Sequence, residues 1–366
     1  MNILIVPDKF KGSLTAAEVC DAAAEGLSKK FPGANITKLP LADGGEGTAQ
    51  ILTQYFKGKT VKVKVNGPLF NEVEAEYGTD NGSTAFIEMA SASGLQLIAK
   101  EERNALETTT YGTGELIRHA LEHGASRIIL GIGGSSTNDA GIGMAEALGY
   151  KFFDKNDRQL KPIGKNLVHI DRIEVPKIKI DVTALCDVNN PLFGPNGAAH
   201  VYGPQKGADA SAVELLDNGL RNFEHIVQKT FGRSADFPGA GAGGGIAGGA
   251  SVFFNLTVRP GTQFVMETLG AYEKIEAADL VVTGEGKIDR QTLAGKVVAS
   301  VAQHSARFNK KVVAVCGVCE LRKNELQKIG VSEVISLTDP FTTPEEAMAN
   351  ARKLLSAKTL NFDAHY

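Results

Sequence analysis

Cysteine, proline and long apolar runs are all scarce in this chain. Only four of its 366 residues are cysteine, Cys20, Cys186, Cys316 and Cys319. So few in so long a chain argue against a disulfide framework and for a reducing compartment. No stretch reaches the roughly 20 apolar residues of a membrane helix. The opening MNILIVPDKF is too short an apolar run for a signal peptide, and Asp8 interrupts it, so a cytoplasmic location is expected. Charge of one sign is missing too: 39 Lys and Arg face 42 Asp and Glu, for a net charge of -3. That balance leaves no footprint for nucleic acid and no tail for a membrane surface.

The familiar nucleotide signatures are also missing. No G-x-x-x-x-G-K-[ST] occurs; Gly295 and Lys296 have no glycine five residues before them and no hydroxyl after. A G-x-G-x-x-G at Gly243, Gly245 and Gly248 follows no strand, so it lacks the setting of a dinucleotide fingerprint. G-x-S-x-G is absent, and the protein-kinase set is absent. The H-x-x-E-H of His119 to His123 reads as an ordinary surface helix, and the C-x-x-C of Cys316 and Cys319 as a buried strand end.

What the chain has is glycine, 41 residues against 13 prolines, clustered between apolar runs. Such clusters mark ligand loops and not disorder. Short β-branched runs alternate with helical patterns. NILIV reads as a buried strand followed by a helix over Leu14 to Phe31, capped by Ser13. Strand and helix pairs recur at Ile128–Gly131 with Ala140–Leu148, Leu280–Thr283 with Leu293–Phe308, Val312–Cys316 with Leu321–Ile329, and Val334–Leu337 with Pro344–Ser356. The middle changes texture: TVKVKVNGP and NEVEAEYGT alternate with period two, as half-solvated antiparallel strands do. The fold class expected is α/β in two domains. A Rossmann-like parallel-sheet domain, residues 1–68 plus 262–366, carries an inserted mixed-sheet α/β domain, residues 69–261.

In open parallel sheets, ligands bind at the carboxyl ends of strands. Five loops there are rich in small and polar residues: PDKFKGS, LADGGEGT, GIGGSSTNDAG, CDVNNPLFGP and TGEGKIDRQ. A sixth, PGAGAGGGIAGG, opens a helix. Glycine loops entering helices present free N–H groups to anions. The same loops carry Asp8, Asp43, Glu46, Asp139, Asp187, Glu285 and Asp289. A carboxylate beside a phosphate repels it unless a cation lies between, and Mg²⁺ held by a few carboxylates and phosphate oxygens resolves the conflict. Phosphoryl transfer needs this set of parts.

These blocks, with TTYGTGELIRHAL and YGPQKGA, run in order through most of the chain and resemble the bacterial type of glycerate kinase. The family's usual PDSFKGS reads PDKFKGS here, with Lys9 for serine, and its CDVDNPL reads CDVNNPL, with Asn189 for aspartate. The resemblance implies ATP-dependent, Mg²⁺-assisted phosphorylation of D-glycerate, with the 2-hydroxyl favoured over the 3-hydroxyl. It also implies an active site in the cleft between two domains. The framework is shared with nicotinamide-dependent hydroxy-acid dehydrogenases, which stand as the alternative. A homodimer is compatible with the sequence.

No residue roles are carried over from the family; those expected here follow from the loops. Asp187, which ends a long apolar strand and is expected to be partly buried, is the favoured base, with Asp43 and Asp289 next. The same three, Asp43, Asp187 and Asp289, are the metal ligands expected. Substrate or phosphate binding is expected of Asp8, Lys9, Lys11, Ser13, Gly44, Gly45, Ser135, Ser136, Thr137 and Asn138. Nucleotide binding is expected of Gly241, Gly243, Gly244, Gly245, Gly284 and Glu285.

Overall fold

The computed structural model describes residues 1–362. The chain forms two compact units: Met1–Asp43 together with the segment from Gly261 onward, and Gly44–Pro260 between them. Both are α/β.

The first unit is built on a five-stranded sheet in the order Glu333–Ser336, Lys311–Cys319, Leu280–Ile288, Asn2–Pro7, Asn35–Lys38. Every neighbouring pair in it is parallel. Parallel strands covered on both faces need continuous apolar runs, and Ile3, Leu4, Ile5 and Val6 are all buried. The helix Ala16–Lys30 presents Val19, Ala22, Ala23 and Leu27 to that sheet. Its cap is Thr15, which forms a capping box with Glu18, and not Ser13. Ser13 instead donates its hydroxyl to the Met348 carbonyl at 2.9 Å. The expected helix over Pro344–Ser356 is two helices, Pro344–Ala349 and Ala351–Asn361, with Asn350 between them. Gly26 allows the second to lie close, since a Cβ there would fall 2.2 Å from the Ser356 carbonyl oxygen.

The second unit has a six-stranded mixed sheet in the order Asn255–Arg259, Asp181–Leu185, Arg127–Gly131, Thr84–Glu88, Glu72–Thr79, Thr60–Asn66. The first four run parallel, and the last two are antiparallel. The alternating pattern of Thr60–Asn66 reflects a sheet face open to water, where Lys62 and Lys64 pair with Glu74 and Glu72. That pairing carries Thr60–Asn66 into the second unit. The chain leaves the first unit after Asp43, earlier than the expected boundary at residue 68. Phe56, just past the helix Thr48–Tyr55, stacks on Phe86 of the same sheet, which holds that helix in the second unit as well. A small antiparallel pair, Lys151–Phe153 with Arg172–Glu174, lies apart from the main sheet.

Among the described residues, no helix is long and apolar enough to cross a membrane. All four cysteines are free thiols.

Candidate active site

In the first unit, chemistry gathers where strands Asn2–Pro7 and Leu280–Ile288 end. Asp8 is the residue after the first strand, and its N–H donates to the Gly284 carbonyl at 2.8 Å. Its carboxylate accepts from the Lys9 N–H at 2.7 Å and lies 3.8 Å from the Lys9 ammonium. Burial pushes the Asp8 carboxyl up to about 6, against the pull of Lys9; the charge of Asp43 raises it further, and Lys296 lowers it. Glu285 is buried as well, and burial lifts its carboxyl to about 7. The Thr292 hydroxyl donates to Glu285 at 2.7 Å, and Lys296 also opposes the rise, whereas Asp8 and Asp289 add to it. Asp289 closes a turn: it accepts from the Gln291 N–H at 2.8 Å, while its own N–H donates to the Thr292 hydroxyl at 3.0 Å. Four carboxylates, Asp8, Asp43, Glu285 and Asp289, thus share one electrostatic neighbourhood with Lys9 and Lys296. Burial raises two of them, Asp8 and Glu285, toward neutrality, and shifts of this kind cluster at functional sites.

Gly284 and Glu285 are within the strand Leu280–Ile288, not in a loop after it. Gly284 is needed for sheet packing, because a Cβ there would fall 2.3 Å from the Val315 carbonyl oxygen. Lys11 is exposed. Among the described residues, no group of three or more His, Cys, Asp or Glu is arranged to hold a metal ion.

In the second unit, loops converge on the carboxyl end of strand Arg127–Gly131. Gly44 and Gly45 lie against it: a Cβ at Gly131 would fall 2.7 Å from the Gly44 carbonyl oxygen, and one at Gly133 would fall 3.3 Å from the Gly45 Cα. The segment Ser135–Asp139 is buried throughout. Ser136 donates both its N–H and its hydroxyl to the Ser93 carbonyl, each at 2.9 Å. Asp139 accepts from the Thr110 N–H and hydroxyl, both at 2.8 Å, and from the N–H groups of Gly141 and Gly143. It is a staple for the loop, although burial still raises its pKa. Thr137 Oγ1 and both polar atoms of the Asn138 amide are buried with no hydrogen-bond partner. Each such atom costs about 1–3 kcal/mol unless something supplies the bond. Three such atoms in one loop leave hydrogen-bonding capacity unmet at one place in the fold.

Gly243, Gly244 and Gly245 all have left-handed backbone, with φ of 64°, 78° and 90°, inside the segment Ala242–Phe253. The run is therefore not a simple helix start. Gly244 and Gly245 pack against the loop 137–140, and Gly241 packs under the Pro191 carbonyl. Of the four glycines expected to meet a nucleotide here, only Gly243 is partly exposed. Asp187 follows strand Asp181–Leu185 but is exposed, so the burial expected of it is absent. The loop bearing it is tied through Asn190, whose carbonyl accepts from the N–H groups of Gly239 and Gly241 and whose side chain meets Tyr202 and Asn196.

Three residues escape the sequence reading: Thr292 and Lys296 in the first unit, and Lys206 in the second. Lys206 stands between glutamine and glycine in YGPQKGA, where a lysine reads as a solvated surface group, yet it is 2% exposed. Its ammonium donates to Ser135 Oγ at 2.7 Å and to the Thr137 carbonyl at 2.6 Å. Burial lowers its pKa to about 7, with Asp139 pulling the other way. The only hint in the sequence is the flanking glycine, Gly207, whose left-handed backbone seats the turn within 2.0 Å of the Arg103 carbonyl oxygen, measured from a built Cβ.

The loops of both units fall within the part of the chain that known proteins match. The model of the glycerate kinase family matches residues 3–364. A glycerate kinase of Halalkalibacterium halodurans is 41% identical over 98% of this chain and 97% of its own length. The glycerate 2-kinase of Escherichia coli K12 is 40% identical over 96% of this chain and 94% of its own. A crystal structure of a candidate glycerate kinase 2 from Salmonella typhimurium LT2 superposes with a TM-score of 0.85 at 40% identity, covering 99% of this chain and 96% of that one.

Proposed function

The chain belongs to the glycerate kinase family and is an enzyme, and on that footing we propose that it transfers the γ-phosphoryl group of ATP to the 2-hydroxyl of D-glycerate, giving 2-phosphoglycerate and ADP. The observation that carries this reading is the family match from residue 3 to residue 364, which spans every loop named above. The 2-hydroxyl is favoured because one relative with near-complete mutual coverage is named a glycerate 2-kinase.

Phosphoryl transfer asks little covalent chemistry of a protein and much positioning and charge control. Within the first unit, Asp8 is the base we favour for the glycerate hydroxyl. Its carboxyl stands at about 6, close to the operating pH a base requires, and Lys9 beside it stabilises its charged form. Asp43 and Asp289, and Asp187 of the second unit, are the competing assignments. Lys9, Lys11 and Lys296 supply positive charge for anionic oxygens. Asp43 and Asp289 are proposed to hold Mg²⁺. A donor set of one or two carboxylates suits this ion, which takes its remaining positions from water and phosphate oxygens. When bound, Mg²⁺ neutralises charge on the transferring phosphate. Asp187, which belongs to the second unit, is retained as a separate candidate metal ligand to test. Gly284 and Glu285 are proposed for the nucleotide.

Within the second unit, Thr137 and Asn138 are proposed to bond to oxygens of the substrates, supported by their unmet hydrogen-bonding capacity, while the Ser135 hydroxyl is held by Lys206 and shapes the loop. Ser136, Gly44 and Gly45 shape that loop, and Gly243 is the point of the run 241–245 open to a nucleotide. The burial of residues 135–139 supports a loop whose polar atoms act away from water. The enzyme is expected in the cytoplasm.

A coupled ADP-release assay over a panel of hydroxy acids, with and without Mg²⁺, tests the proposal. Glycerate-dependent release, with 2-phosphoglycerate as the product by phosphorus NMR, supports it. No release with D-glycerate overturns it, and 3-phosphoglycerate as the product overturns the choice of hydroxyl.

A further inference from the structure

A lysine that is fully buried must have a task, since taking its charge from water costs several kcal/mol unless partners compensate. Lys206 has two neutral partners, both in one short loop: the hydroxyl of Ser135 and the main-chain carbonyl of Thr137. Asp139, two residues on, is the countercharge acting on it. The lysine itself is fixed from behind. It ends the turn Pro204–Lys206, its N–H donates to the Gly203 carbonyl at 2.9 Å, and Gly207 rests on the backbone of Arg103. The loop is fixed at its other points by Ser93, through Ser136, and by Thr110, through Asp139. Between these anchors stand Thr137 Oγ1 and the Asn138 amide, buried and unpartnered. Without the ammonium, the Thr137 carbonyl loses a charge-assisted bond, and the residue whose side chain awaits a partner is free to turn.

We propose that Lys206 is a positioning residue. It clamps Ser135 to Thr137 and so holds the unpartnered donors of residues 137–138 in the conformation that receives an anionic oxygen of a substrate. The inference rests on the reading of this loop as part of a kinase site. A carboxylate of the hydroxy acid and a phosphate of the nucleotide share the chemistry required, and the two substrates are told apart by the test.

The experiment uses the full-length enzyme with Lys206→Met, Lys206→Gln, Ser135→Ala and the double variant Lys206→Met with Ser135→Ala. Calorimetry with ATP and with D-glycerate measures affinity, and steady-state kinetics give KM for each. Circular dichroism confirms folding. Lys206→Met should weaken binding of one ligand at least about tenfold and leave the other within about twofold, and Lys206→Gln, which keeps a donor, should recover part of the loss. The double variant should bind no worse than Lys206→Met alone, because both changes open the same clamp. Unchanged affinity for both ligands, equal losses for both, or fully additive losses would overturn the inference. Should Lys206→Met fail to fold, Ser135→Ala decides alone, and it must show the same one-ligand loss. If wild type releases no ADP with glycerate, the proposed function falls, and the calorimetric arm still rules on the clamp.

Discussion

Gly244 touches Thr137 backbone to backbone: a Cβ on the glycine would lie 1.9 Å from the threonine's carbonyl oxygen. The same oxygen accepts from Lys206, so a single carbonyl is pressed by a glycine on one side and held by an ammonium on the other. Gly232 offers the contrast, with φ of 66° and nothing within 4 Å of a built Cβ. Gly232→Ala should cost about 1–2 kcal/mol, the ordinary penalty of left-handed backbone. Gly244→Ala should cost about 1–3 kcal/mol more, for overpacking against main chain that cannot yield. Urea unfolding of both variants checks this, and equal losses would remove the packing account of the glycine run.

Glu285 ties stability to pH. Its folded-state pKa of about 7 lies above the ordinary 4.5, so the folded protein keeps a proton that the unfolded chain has released. Stability from this group is therefore greatest below about pH 4.5 and declines as pH rises to about 7. Glu285→Gln removes the ionisation. Relative to wild type, it should gain about 2–3 kcal/mol at pH 8 and almost nothing at pH 4. Denaturant midpoints at the two pH values give the difference, and a gain that is equal at both would reject it.

Asp8 and Asp187 make different demands on kinetics. Loss of a general base lowers turnover about 10²–10⁴-fold. Asp8→Asn should fall in that range, with KM for glycerate little changed, and the acid limb of the wild-type rate profile near pH 6 should vanish in its residual activity. Asp187→Asn, at an exposed position, should lose less than Asp8→Asn. The reverse ranking would return the role to Asp187.

The helix Ala16–Lys30 supplies a local test. Thr15→Ala removes the side chain that accepts from the Glu18 N–H and should cost about 1 kcal/mol. Ser13→Ala, which removes only a partly exposed bond to Met348, should cost less than half of that.

Local pattern made much of this fold legible. NILIV has nowhere to go but a sheet interior, and the period-two alternation of TVKVKVN survives as an antiparallel edge with its lysines paired outward. The helix Ala16–Lys30 falls inside the stretch Leu14–Phe31 whose pattern marks it. Ser13 misleads because Thr15, two residues on, satisfies the same chemistry and has Glu18 at the spacing that completes the box. The unit boundary was hidden because strand pairing between Thr60–Asn66 and Glu72–Thr79 is a tertiary fact that neither segment states alone. In the site, Asp8 does follow its strand, whereas Glu285 lies within its own, and their shared neighbourhood depends on two strands far apart in sequence being neighbours in the sheet. Burial is least legible of all. Asp187 and Lys206 invert the expectation for a carboxylate after an apolar strand and for a lysine among polar residues.

The pairing of Asn2–Pro7 with Leu280–Ile288 also sets the order of events during synthesis. The bond from Thr283 to the Val6 carbonyl spans 277 residues. The first strand of the chain emerges from the ribosome long before the neighbour that completes its sheet, whereas Gly44–Pro260 already contains all six strands of its own. The later-closing sheet must wait, exposed and half-made, while the middle of the polypeptide folds ahead of it. Chaperone dependence should therefore be concentrated in Met1–Asp43 and the segment from Gly261 onward.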